Sequence, residues 1–179
     1  MKTVTLFRHA KSGEKANPRI RDFDRPLANR GLKAAPKMGV AMRERHLRPT
    51  LILCSPSVRT LQTLSLASTE AWDNPPKVRL DKRLYEASAQ TILEVLKEVS
   101  EDADHVMVVG HNPGMQDFAV MLSVSGRERQ QLKDKLPTAS VVTLEFDEEL
   151  WKDLQPGTGH VVLYMSPKTL PPAGRGQKQ

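Results

Sequence analysis

Three short runs constrain this chain more than any other feature: Thr3-Val4-Thr5-Leu6-Phe7, Leu51-Ile52-Leu53-Cys54 and Val106-Met107-Val108-Val109. Each is apolar or β-branched throughout rather than at alternate positions, and each is too short for a helix. A strand that is apolar on both faces needs cover on both. That is the condition of a parallel sheet held between helices. The intervening stretches have helical spacing. Leu32, Ala35, Met38, Val40, Met42 and Leu47 predict a helix from Asn29 through His46, with Pro36 in its first turn or at a kink. Ser57 is a candidate N-cap for a helix from Val58 to about Ala71, and Ile92, Leu93, Val95, Leu96 and Val99 mark another over Ser88–Val99. Met115–Val124 follows as a helix, and Val78-Arg79-Leu80 as a short strand.

Two later runs, Ser140–Phe146 and His160–Met165, are joined through Gln155-Pro156-Gly157-Thr158-Gly159 and add an antiparallel portion. The expected fold is therefore α/β, a mostly parallel central sheet flanked by helices on both faces. With 179 residues the chain suits one domain. Its expected limits are residues 1–166, followed by a Pro-, Gly-, Lys- and Gln-rich tail over 167–179, read as disordered. Residues 10–27 read as a long polar surface loop and Gly126–Pro137 as an exposed polar segment.

Composition removes several classes of function. The net charge is +6, but no block of five or six consecutive basic residues exists and aromatic residues make up only 4%. Nucleic-acid binding is thus disfavoured, and the excess charge reads as tail residues (Lys168, Arg175, Lys178) plus solvated helix faces. A lone cysteine, Cys54, rules out an internal disulfide and a cysteine-rich zinc site. His46, His105 and His160 have no partner at metal-ligand spacing. No signal peptide and no membrane-length apolar run are visible, so the expected location is cytoplasmic with no membrane partner.

The chemistry gathers at strand ends. The first strand ends in Arg8-His9, the second in Cys54-Ser55-Pro56 and then Arg59, and the strand Val106–Val109 in Gly110-His111. Parallel strands present these carboxyl ends along one sheet edge, where ligands bind in open α/β folds. Two guanidinium groups and two imidazoles around one point suit a phosphoryl group. The arginines bind nonbridging oxygens, one histidine can attack phosphorus, and the other can donate a hydrogen bond. Such a pocket supplies its own positive field, so no metal and no cofactor is expected. Cys54 does not suit a cysteine phosphatase, because four residues separate it from Arg59 and none is glycine. There is no Gly-x4-Gly-Lys-Ser/Thr loop either.

Arg8-His9-Ala10, Ser55-Pro56-Ser57-Val58-Arg59-Thr60-Leu61-Gln62-Thr63 and Gly110-His111-Asn112-Pro113-Gly114, in this order, resemble the histidine phosphatase superfamily, which includes the phosphoglycerate mutases. Asp24-Arg25-Pro26-Leu27, Leu84-Tyr85-Glu86-Ala87-Ser88 and the compact length resemble its small branch, the SixA-type phosphohistidine phosphatases. The resemblance spans about residues 2–165 and implies a phosphoglycerate mutase-like fold. It also implies that His9 is the nucleophile of a phosphohistidine intermediate and that Arg8, Arg59 and His111 bind the phosphoryl group. Glu86 falls where the wider family often keeps a general acid, and it reads equally as a helix-entry carboxylate. Ala10 stands where the family usually has glycine.

The implied activity is a metal-independent phosphatase. Its expected partner is a phosphorylated protein, such as a histidine-phosphorylated phosphotransfer domain, because no long insertion lies between Arg59 and His111 to form a lid over a metabolite. The alternatives are a phosphatase of small phosphomonoesters with the same chemistry, and a phosphate-binding module without catalysis.

Overall fold

The computed structural model describes residues 1–13 and 17–170. Six strands form one sheet: β1 (Lys2–Arg8), β2 (Leu51–Cys54), β3 (Lys77–Leu80), β4 (His105–Gly110), β5 (Val141–Phe146) and β6 (His160–Met165). Their order is β3-β2-β4-β1-β5-β6. The first four are mutually parallel, and β5 runs antiparallel to both β1 and β6. The helices are α1 (Asn29–Glu44), α2 (Val58–Ala71), α3 (Ala89–Lys97), α4 (Gly114–Leu122) and α5 (Arg127–Asp134). The α/β fold expected from the apolar runs is thus the fold observed.

The alternation of side chains across the strands divides the core in two. Val4, Leu6, Val106, Val108, Val142 and Leu144 pack against α3, α4 and α5 on one face. Phe7, Ile52, Met107, Val109 and Val141 pack against α1 and α2 on the other. On this second face Gly39 of α1 lies against the Ala67 carbonyl of α2, so a side chain there would collide with backbone. Cys54 belongs to the same layer, and burial pushes its thiol up to about 12, which keeps it an unreactive core group.

Several boundaries depart from expectation. Pro36 lies well inside α1 rather than in its first turn. The segment Gly126–Pro137 is not simply exposed: it carries α5, whose Leu132 is fully buried, and Leu136 just beyond is 2% exposed. One apolar residue in Arg-Glu-Arg-Gln-Gln-Leu-Lys-Asp is enough to seat a short helix when the rest of the fold offers a socket. The described residues of the expected loop over 10–27, which are 10–13 and 17–27, are tied down as well. Ser12 bridges Leu27, a 3-10 turn forms at Asp22–Asp24, and Arg25 and Leu27 are buried. Beyond β6 the chain stays packed four residues past the expected domain boundary, because Thr169 and Leu170 N–H groups both donate to the Ser166 carbonyl. Leu170 then packs on the α1/α2 core. The remainder of the expected tail, 171–179, lies outside the described residues. Among the described residues no helix is long and apolar enough to cross a membrane.

Candidate active site

The carboxyl ends of β1, β2 and β4 meet as the parallel register requires, with Arg8 level with Gly110 and Cys54 level with Val109. A cleft of about 390 Å³ opens there, lined by Arg8, His9, Asp22, Arg59, Glu86 and His111 among others. All five residues singled out from the sequence therefore border one cavity. His9, Arg59 and His111 are 8%, 4% and 4% exposed.

His9 is held by backbone on both sides, its N–H donating to Gly110 O and its carbonyl accepting from Ala139 N–H. Its ring Nδ1 lies 2.7 Å from Ala10 O. A carbonyl can only accept, so Nδ1 carries the proton and Nε2 holds the lone pair. Burial pulls the imidazole down to about 4, reinforced by Arg59 and Arg8 and opposed by the Ala10 carbonyl. At neutral pH His9 is thus an uncharged ring with a free nucleophilic nitrogen. Ala10 keeps a negative φ and is fully buried, with its N–H on Thr63 Oγ1 at 2.9 Å. Alanine costs nothing conformationally where the family usually has glycine.

Arg59 comes from the first turn of α2, which Ser57 caps by accepting from Thr60 N–H. Its Nη1 donates to Asp22 O at 2.7 Å and its Nη2 to Asp22 Oδ2 at 3.1 Å. Asp22 also binds Arg25 and accepts from the Tyr85 hydroxyl. That hydroxyl, followed by Arg25 and Arg59, holds the Asp22 carboxyl well below the usual range. Asp22 is therefore a permanent anion that orients arginines, and it is unsuited to donating a proton. Burial and Asp22 in turn push Tyr85 up to about 12. These three residues, Asp22, Arg25 and Tyr85, are site residues that periodicity and spacing did not single out. Arg25 and Tyr85 fall in the Asp24–Leu27 and Leu84–Ala87 stretches quoted for the resemblance, and Asp22 falls in neither.

His111 faces Ser55, with Nε2 2.8 Å from Ser55 Oγ. Its ring centroid is 5.3 Å from that of His9 and 5.3 Å from that of Tyr85. Burial, then the charge of Arg59, pulls His111 down to about 3. The loop following His111 is locked by Gly114, whose missing Cβ makes room for the Ala87 carbonyl. That close approach brings the Tyr85–Ala87 turn against the start of α4. Glu86 in this turn is exposed and has a φ of 52°, in the left-handed region that is costly for a side-chain-bearing residue.

One pattern stands out. Arg8 Nε, Arg59 Nε and His111 Nδ1 are buried nitrogens with no hydrogen-bond partner among the described residues. A buried unpaired polar nitrogen costs about 1–3 kcal/mol, and the three residues that carry them all line the same cleft. Arg8 has one side-chain bond, Nη1 to Leu136 O at 2.8 Å, and keeps its other donors. This arrangement can receive the oxygens of a tetrahedral anion. Among the described residues no group of three or more His, Cys, Asp or Glu side chains could hold a metal ion.

The depressed histidines predict a pH dependence of stability. His105, half-buried and with Nε2 2.8 Å from Thr5 Oγ1, is also pulled down to about 4 by desolvation. In the unfolded chain all three rings titrate near 6.5. Above that pH both states are neutral and the stabilisation is complete. As pH falls from 6.5 towards 4 the unfolded state binds protons that the folded state refuses, so stability is lost. Urea denaturation at pH 7 and pH 4.5 is expected to differ by at least about 2 kcal/mol, and His105→Gln should shallow that slope. An equal slope in the variant would remove His105 from the account.

A family model described as the histidine phosphatase superfamily (branch 1) matches residues 4–98. An uncharacterised Mycobacterium tuberculosis protein, Rv1276c, is 32% identical over 166 residues, covering 90% of this chain and all of that one. Among solved structures, a candidate phosphohistidine phosphatase SixA from Nakamurella multipartitia superposes with a TM-score of 0.80 at 28% identity, covering 93% of this chain and 96% of that one. A candidate SixA from Agrobacterium tumefaciens gives 0.76, also at 28% identity, over 93% of this chain and 98% of that one.

Proposed function

The chain belongs to the histidine phosphatase superfamily, and we propose that it is a metal-independent phosphatase acting through phospho-His9 on phosphohistidine carried by a protein. The observation that carries this reading is the convergence of Arg8, Arg59 and His111 on one cleft with a neutral His9 whose Nδ1 is already committed to Ala10 O. In this scheme Nε2 of His9 attacks phosphorus while the phosphorus–nitrogen bond of the substrate breaks. Arg8 and Arg59 hold nonbridging oxygens, and His111 donates to another. The departing imidazole takes its proton from water. A second water then cleaves phospho-His9, releasing inorganic phosphate and restoring the neutral ring.

The substrate class is supported by energetics. The bond formed and the bond broken both join phosphorus to imidazole, so the transfer is close to thermoneutral and needs no strong acid. An exposed Glu86 with no side-chain hydrogen bond among the described residues fits that demand better than it fits expulsion of an alkoxide. The solved relatives described as candidate phosphohistidine phosphatases point the same way.

The test is phosphate release from a phosphohistidine-bearing protein beside a panel of sugar phosphates and nucleotides, each with and without EDTA. Turnover of the phosphohistidine protein, undiminished by chelator, is the expected result. Preference for a phosphomonoester would move the substrate to small molecules, loss in EDTA would remove metal independence, and phosphate binding without any turnover would indicate a non-catalytic module.

A further inference from the structure

Beside the catalytic cleft lies a second cavity of about 550 Å³. Arg8, Lys11 and Thr138 line both, so the two adjoin. One wall of the larger groove is a face of α1 that carries Arg30, Lys33 and Lys37, spaced as helical neighbours. Lys135 and Lys168 stand on the segments before β5 and after β6 that complete it. No carboxylate lines this groove, and none of its cations forms an ion pair among the described residues. With Arg8 and Lys11 these cations form one positive patch. Arg30, Lys33 and Lys37 lie on an exposed helix face, as the sequence suggested. Lys168, assigned there to the tail, lies at the groove.

Resting on the phosphohistidine-protein reading above, we propose that this groove docks a carboxylate-rich surface of the phosphorylated protein and guides its phosphohistidine towards His9. A concentrated field of one sign, opening directly onto a reaction centre, raises the encounter rate of an oppositely charged partner. The residue types favour carboxylates over a phosphate chain. Lysines dominate, all of them exposed, and flexible point charges suit acidic side chains scattered over a protein surface. Fixed phosphates are better matched by arginine forks, and of the groove's cations only Arg8 and Arg30 carry one. Stacked bases are not catered for, because no aromatic side chain lines the groove. The groove is also coupled to the site mechanically: Arg8 donates to Leu136 O, the residue between Lys135 and Pro137 of the groove wall.

The experiment measures binding of fluorescein-labelled poly-L-glutamate to the full chain by anisotropy at low salt, for the wild type and for Lys33→Glu/Lys37→Glu. Phosphoramidate turnover is followed in parallel. The wild type is expected to bind, the double variant to bind about tenfold more weakly or worse, and the difference to shrink at high salt. Phosphoramidate turnover of the variant should be unchanged, since both lysines are exposed and outside the catalytic cleft. Equal binding by the two proteins, or no binding by the wild type, would overturn the proposal. So would short-chain polyphosphate binding through Lys33 and Lys37 when poly-L-glutamate does not. If the wild type failed to hydrolyse any phosphoramidate, the catalytic reading would fall while the binding comparison still decided this one.

Discussion

Replacing His9 with alanine is expected to lower phosphate release by about four orders of magnitude while leaving the protein folded. The ring supplies a nitrogen, Nε2, whose lone pair is free because Nδ1 carries the proton, beside Arg8 and Arg59 in the same cleft. Its removal leaves Arg8, Arg59 and His111 able to bind an anion but gives phosphorus nothing to bond to. The fold should tolerate the change because the anchoring bonds of residue 9 to Gly110 and Ala139 are made by its backbone. Quenching in alkaline detergent after mixing with labelled substrate checks the assignment directly. The wild type should carry an acid-labile, base-stable phosphoryl group and His9→Ala none. Full activity in the variant, or a phosphoenzyme on another residue, would transfer the nucleophile's role elsewhere.

Arg59→Lys is expected to cost about a hundredfold to a thousandfold in kcat, with a smaller change in KM. Arg59 does two things with one planar group. Its Nη1 and Nη2 bind Asp22, and its buried Nε has no partner among the described residues. A guanidinium has five donors, so the Asp22 clamp leaves three for a phosphoryl group. An ammonium offers a point charge with no fixed fork and would have to choose between carboxylate and phosphate. Because the added negative charge on the phosphoryl oxygens appears as the new bond forms, the loss should fall mainly on kcat. Thermal stability should change little, since Asp22 keeps Arg25 and Tyr85 as partners and its side chain is 40% exposed. A kcat within threefold of wild type would mean that Arg59 serves only to fix Asp22.

The two arginines and two histidines were legible early because each follows an apolar strand at a fixed offset. A strand end is a place that local sequence can locate. Asp22, Arg25 and Tyr85 had no such marker. Asp22 and Arg25 lie in an aperiodic polar stretch, and Tyr85 follows an edge strand whose residues are all exposed. Their roles arise only when that stretch folds over the carboxyl ends of the sheet. Helix α5 was hidden for a related reason. Its one buried residue, Leu132, makes no period by itself, and the helix forms because α4 and the sheet provide the apolar socket.

By itself the sequence determined the layered α/β frame, the mostly parallel character of its sheet and the edge at which Arg8, His9, Arg59 and His111 would gather. Those follow from short-range rules: apolar runs demand cover, helical spacing supplies it, and parallel strands align their ends. The tertiary structure alone decided which nitrogen of His9 is free, which guanidinium donors Asp22 consumes, and that lysines from α1, from the α5–β5 connection and from beyond β6 form one positive groove. Such features depend on distances between residues far apart in the chain, set by how the helices pack on the sheet, and no local pattern encodes them.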